Sequence, residues 1–264
     1  MRPILCCMLS ISLHLVGCAQ QPAFSDKGTW VDLTHNFSEK TIYWPNADHF
    51  KLETVYDGHT QGGYHYSANR YAAAEHGGTH MDAPIHFDIK GQTVDQISIT
   101  QTQGPAFVID VSDKALKNPD YQIGIEALES FERAHGEIQR DSIVLIRTGY
   151  DRFWPDARRY LGTEARGDAA IAQLHFPGLS PEAARWLSEK RSIRAVGLDT
   201  ASIDPGQSRV FESHRIFAVH SIPIFENLKD LDRLPATGSY VIALPMKIEG
   251  GSGAPLRAIA LLPL

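Results

Sequence analysis

Four side chains able to bind a metal or move a proton fall within eleven positions of this chain. They are His76, His80, Asp82 and His86, in the run His-Gly-Gly-Thr-His-Met-Asp-Ala-Pro-Ile-His-Phe. Two imidazoles and a carboxylate suit a borderline divalent ion such as Zn2+ or Mn2+. Three protein ligands leave coordination positions open, which a catalytic metal needs in order to hold and acidify a water. His86 is then the spare group, and an imidazole with an ordinary pKa of about 6.5 suits general acid/base work. Any one of these histidines alone would read as a structural or solvated residue; their joint spacing with Gly and Asp points to a site.

His76 and His80 are four apart and would share one face of a helix. Gly77, Gly78 and Pro84 disfavour a helix, however, and favour a turn leading into extended chain. In extended chain His80 and Asp82 point to the same side, and a glycine turn would fold His76 back toward them.

Other chemistries find less support. Gly251-Ser252-Gly253 follows Glu249 and Gly250, so it does not make the Gly-x-Ser-x-Gly elbow of a serine nucleophile. No phosphate-cradling glycine loop is present. Cys6, Cys7 and Cys18 are the only cysteines, so a metal held by the folded body must use imidazole and carboxylate. A net charge of -6 with 21% charged residues excludes the basic footprint of a nucleic-acid binder and leaves a small molecule as the expected partner.

The His-Gly-Gly-Thr-His-x-Asp-x-Pro-x-His pattern resembles the signature of the cyclase family, which contains bacterial kynurenine formamidases and isatin hydrolases, and the resemblance runs over roughly residues 29–264. It implies that His76, His80 and Asp82 bind metal and that His86 is catalytic. In the formamidases a downstream His, followed twelve residues later by a Glu, completes a two-metal site. His214 and Glu226 match that spacing, with Asp82 and Glu226 as bridging carboxylates. Two such carboxylates would offset two dications and hold a shared water close to both. His220 competes with His214 on residue type alone, and the family spacing favours His214.

Trp44-Pro45 resembles a Trp-Pro-Gly-Asp segment whose aromatic ring contacts substrate. Asn46 and Ala47 depart from it, and packed core is the other reading of Trp44. Gly197 to Asp204 also resembles a family segment, with Asp199 and Asp204 expected to cap or turn the chain. The resemblance implies a metal-dependent amidohydrolase with one or two Zn2+ ions, or Mn2+, acting on a small aromatic amide such as an N-formyl arylamine. Isatin-hydrolase-like opening of a cyclic amide is the alternative. It further implies a homodimer and a swivelling β/β/α fold with a mixed sheet. A lipoprotein that only captures metal or solute is a different reading, and such a protein would not need His86.

The elements that must position these residues are legible as short runs. Strands are expected at Trp30–Leu33, Ala106–Val111, Ser142–Arg147, Ile193–Leu198, Tyr240–Leu244 and Arg257–Leu262. Ile125, Leu128 and Phe131 predict a helix ending at Gly136. Ser180-Pro181-Glu182 predicts the start of another, with Ala184 and Leu187 facing the core. Strands and helices intermix without repeats, giving one α/β domain over 29–264. The stretch Glu53 to Tyr71, with Tyr56, His59, Tyr64, His65 and Tyr66, is a candidate pocket-lining insertion.

Met1-Arg2-Pro3 followed by apolar residues from Ile4 to Val16 fits a secretory signal and is too short to span a membrane. Leu15-Val16-Gly17-Cys18 resembles a bacterial lipobox. It predicts a signal peptide over 1–17, acylation of Cys18, a polar tether over 18–28 and a periplasmic or cell-envelope location, with membrane contact only through the lipid anchor. A plain cleaved signal and a buried apolar element are the competing readings.

Overall fold

The computed structural model describes residues 28–263. The expected signal peptide, the lipidation position Cys18 and all but the last residue of the expected tether lie outside the described residues. The described strands are β1 (Trp30–Asp32), β2 (Lys51–His59), β3 (His65–Ala72), β4 (His80–Asp82), β5 (Gln103–Asp110) and β6 (Gln122–Ile123). They continue with β7 (Ile143–Arg147), β8 (Gly178–Leu179), β9 (Ala195–Leu198), β10 (Ile224–Glu226), β11 (Ser239–Pro245) and β12 (Gly253–Leu261). The α-helices are α1 (Ser112–Ala115), α2 (Ile125–His135), α3 (Ala157–Leu161), α4 (Pro181–Arg185) and α5 (Glu212–Val219).

Eight strands form one sheet in the order β1-β12-β11-β5-β7-β9-β10-β4. β4 also pairs with β12, so the sheet closes on itself as a barrel. The run β5-β7-β9-β10 is parallel and the remaining pairings are antiparallel, which is the mixed sheet expected.

The pleat explains why these runs are apolar throughout. Ala106, Val108, Ile143, Leu145 and Ala195 face the barrel interior. Their alternates Phe107, Ile109, Val144, Ile146 and Val196 face the helices. Strands covered on both faces lose the polar alternation of a half-exposed sheet. Small residues, among them Ala243, Ala254, Ala258 and Ala260, fill much of the interior.

The predicted helices form for the stated reasons. Leu128 and Phe131 of α2 are buried, and the chain turns out at Gly136 with φ +90°. Ser180 caps α4 by accepting the Ala183 N–H, with Pro181 at the first helical position. Ala184 and Leu187 are fully buried, and the helix widens into a π-helical stretch over Trp186–Arg191.

The aromatic insertion departs from expectation. Glu53 to Tyr71 lies within a long antiparallel hairpin, β2–β3, and none of its residues lines the cavity at the metal motif. The two strands satisfy one another's backbone, and the bidentate Arg70–Glu53 pair ties them together. Tyr56, Tyr64, Tyr66 and Tyr71 are left exposed.

Candidate metal centre

Two three-residue strands supply most of the site. β4 and β10 pair antiparallel with Glu226 opposite His80, Phe225 opposite Met81 and Ile224 opposite Asp82. Met81 and Phe225 enter the barrel core, so the period of two turns His80, Asp82 and Glu226 to the opposite face. The preceding glycines have separate functions. Gly78 takes φ +58° and makes the turn. A Cβ on Gly77 would lie 2.0 Å from the Tyr43 ring, so this glycine permits a close approach.

The turn returns His76 to the strand, with Nδ1 2.6 Å from Asp82 Oδ1. His80 Nε2 lies 3.2 Å from the same oxygen. From α5, His214 places Nε2 3.1 Å from Asp82 Oδ2 and 3.2 Å from Glu226 Oε1. Two ligand groups result, His76–His80–Asp82 and Asp82–His214–Glu226, each with its ligand atoms within 4.8 Å of one another. Asp82 belongs to both and turns one oxygen to each. Glu226 groups with the second set, while its Oε2 stands 3.6 Å from His80 Nε2.

Two of the imidazoles have their far nitrogen fixed locally. His80 Nδ1 donates to the Gly78 carbonyl, which also accepts from Asn227 Nδ2. His214 Nδ1 donates to Asp204 Oδ2 at 2.7 Å, and Asp204 accepts the Ser213 and His214 backbone N–H groups at the start of α5. Asp204 therefore caps, as expected, and also orients a site histidine. Asp199 accepts from Thr148 N, Thr148 Oγ1 and Gly149 N, a turn-stabilising role as expected.

The cluster is almost sealed, with His80, Asp82, His214 and Glu226 each 3–4% exposed. Burial opposes the Asp82 anion, but the charge of His76 and hydrogen bonds from His214, His76 and His80 hold it well below the usual carboxylate range. Burial and the Asp82 charge push Glu226 up. Burial opposes charge on His80 and His214 too, yet the carboxylates around them raise both above the ordinary imidazole value. Three imidazoles and two buried acids, converging with no Lys or Arg among them, fit a divalent ion.

Above the ligands lies a cavity of about 300 Å³, walled by Ile42, Tyr43, Trp44, Phe87 and Phe211. His86 also lines it, stacked on His76 at 3.8 Å between ring centroids. Burial lowers its pKa to about 4. Trp44 lines the cavity with its ring against Phe176 and Phe211. Arg166 pins the same loop by donating to the Trp44 and Ala47 carbonyls, and Asn46 turns outward to Asp168.

His220 stays out of the site, exposed at the end of α5 with Nδ1 on the Ile216 carbonyl. Phe87, Phe211 and Asn227 were not singled out by sequence reasoning. Phe87 stands beside His86 in the motif, whereas Phe211 takes a left-handed φ of +49° that nothing in its residue type announces.

Residues 31–205 match the family model described as "Putative cyclase". A kynurenine formamidase of Bacillus cereus is 31% identical over 231 residues, covering 87% of this chain and 96% of the relative. An isatin hydrolase of Roseibium aggregatum is 31% identical over 206 residues, covering 75% and 76%. In three dimensions, isatin hydrolase A from Ralstonia solanacearum superposes with a TM-score of 0.79 at 33% identity, over 89% of this chain and 92% of that one. With its signature residues gathered on one face of a closed mixed sheet, this chain belongs to the cyclase family.

Proposed function

We propose that the protein is a metal-dependent amidohydrolase that cleaves a small aromatic amide, as the names of its kynurenine formamidase relatives indicate for them. The observation that carries this reading is Asp82, shared by two ligand groups at the floor of an aromatic cavity with His86 beside it. His76, His80 and Asp82 would hold one ion, and Asp82, His214 and Glu226 a second, as Zn2+ or Mn2+. A bound ion supplies Lewis acidity toward the amide carbonyl and lowers the pKa of water.

The chain's own residues do the rest. His86, kept uncharged at neutral pH by burial, accepts a proton at a ring nitrogen from the attacking water and delivers it to the departing nitrogen. Trp44, Phe87 and Phe211 hold the aryl ring and exclude water from the reacting carbonyl. A protein that only captures metal or solute has no use for His86.

Opening of a cyclic amide, as the isatin hydrolase names indicate, is the second reading. It is favoured by the cavity lining, which holds no Lys or Arg among the described residues and so suits a neutral bicyclic ring better than an amino-acid carboxylate. A panel of N-formylkynurenine, simpler N-formyl arylamines and isatin, ranked by kcat/KM, separates the two. Turnover of none of them rejects both.

The same reading includes a homodimer and export. The β2–β3 hairpin exposes Leu52, Val55, Tyr56 and Tyr66, and a two-stranded hairpin is marginal in water without a covering partner. No helix among the described residues is long and apolar enough to cross a membrane. Attachment would rest on Cys18, and Cys18→Ala is expected to release the protein into the soluble fraction. Unchanged membrane fractionation of that variant rejects the anchor.

A further inference from the structure

The turn that does not make a serine-nucleophile elbow lies against the metal motif. Gly251 and Gly253 lie close against it: a Cβ on Gly253 would stand 2.5 Å from His76 Cε1, and one on Gly251 3.0 Å from Glu75 Oε1. The turn is tied to the residue after β4 by Ala83 N to the Ser252 carbonyl at 2.9 Å, and to the start of the 3-10 turn Val94–Gln96 by Val94 N to the Gly251 carbonyl at 2.9 Å.

Within this contact His76 is held from both sides. Nδ1 faces Asp82, and Nε2 lies 2.8 Å from Ser252 Oγ. Ser252 Oγ in turn donates to Glu75 Oε2 at 2.7 Å, and the same carboxylate oxygen accepts the Ser252 N–H at 3.0 Å. A hydroxyl whose hydrogen is committed to a carboxylate has only lone pairs to offer, so Nε2 must carry the hydrogen between ring and serine. Without metal, Nδ1 donates to Asp82; once a cation displaces that proton, the Nδ1 lone pair faces the ligand group. His80 and His214 are fixed through Nδ1 by a carbonyl and a carboxylate and present Nε2, so His76 alone is read out through the opposite nitrogen.

We propose that Glu75 and Ser252 are a positioning pair that fixes His76 as an Nδ1 ligand of the His76–His80–Asp82 ion. The inference rests on the metal-dependent reading above. Neither residue touches the cavity, so both act on the reaction only through His76.

The test uses the full chain with Zn2+ as the probe, its affinity measured by competition with a chelator. Ser252→Ala is expected to weaken Zn2+ binding by about 10–100-fold. Chelator-treated Ser252→Ala should melt as the chelator-treated parent does, and Ser252→Thr should restore affinity. Ring ¹⁵N spectra of the Zn2+-loaded protein should show the His76 proton on Nε2 in the parent and in Ser252→Thr. In Ser252→Ala, and in Glu75→Ala where the hydroxyl is free to donate to the ring, that signal should be lost or shared between nitrogens. Parental affinity and an unchanged Nε2 proton in Ser252→Ala overturn the pairing while leaving the hydrolase reading intact. Should Ser252→Ala not fold, the Glu75→Ala spectra decide by the same criterion. A parent protein that takes up no Zn2+ overturns both.

Discussion

Asp82 gives one carboxylate oxygen to His76 and His80 and the other to His214, and its charge is tolerated in a sealed pocket only because these imidazoles face it. The same pairing raises His80 and His214 above the ordinary value, which fixes the sign of a pH effect. In the metal-free protein these two groups contribute stability that is fully present below the unfolded imidazole pKa of about 6.5 and is lost as pH rises through their folded values. His35 and His86, lowered to about 4, have the opposite sign and complete their change below about 6.5. A metal held there would compete with protons on His80 and His214, so its contribution would grow as they leave. Thermal melts between about pH 7 and 9 should therefore show the chelator-treated protein losing stability while the shift induced by Zn2+ increases. Parallel, pH-independent curves would contradict the assignment.

At the scale of elements, the site depends on what lies behind it. β4 and β10 can turn His80, Asp82 and Glu226 into the cavity because Met81 and Phe225 anchor the other face in the barrel core. The turn into β4 depends on Gly77 meeting the buried Tyr43 ring. Gly77→Ala should cost about 1–3 kcal/mol in denaturant unfolding. The penalty should shrink in a Tyr43→Leu background, since the two positions share one contact; an equal penalty in both backgrounds would remove Tyr43 as the cause. Sequence carried much of this. The Gly, Pro and period-two spacing around His80 and Asp82 showed an extended segment with both groups on one side, and Ser180-Pro181 showed a helix start. It did not show β4 and β10 as paired strands, because three residues are too few for a periodic signal and their register is set by neighbours far along the chain. For the same reason Asp204 read as a cap. Its second function, holding His214 Nδ1, needs a helix that begins eight residues later to fold back onto it. The Glu53–Tyr71 aromatics misled because hairpin pairing, and not residue type, decides where such side chains point.

The described residues form a barrel whose closing strand, β4, also carries His80 and Asp82 of the candidate metal site, so loosening of the closure and loss of the site should go together. Outside that body, the hairpin presents Val55 and Tyr66 at 62% and 51% exposure. If it clasps a second copy, Val55→Asp should shift sedimentation from dimer to monomer, and a monomeric parent protein would remove the dimer from the account. Fold class and family were legible from one eleven-residue run because its spacing is specific. The hairpin's exposure and the cavity's walls were not, since both are properties of the closed chain. The central claim is that a divalent ion on Asp82 is required for amide cleavage with His86 as the proton carrier. It is tested most directly by measuring bound metal and turnover together in the parent, Asp82→Asn and His86→Ala. Asp82→Asn is expected to lose both, and His86→Ala to keep the metal while turnover falls by about 10²-fold or more. Full turnover in parent protein stripped of metal, or in Asp82→Asn, would contradict it.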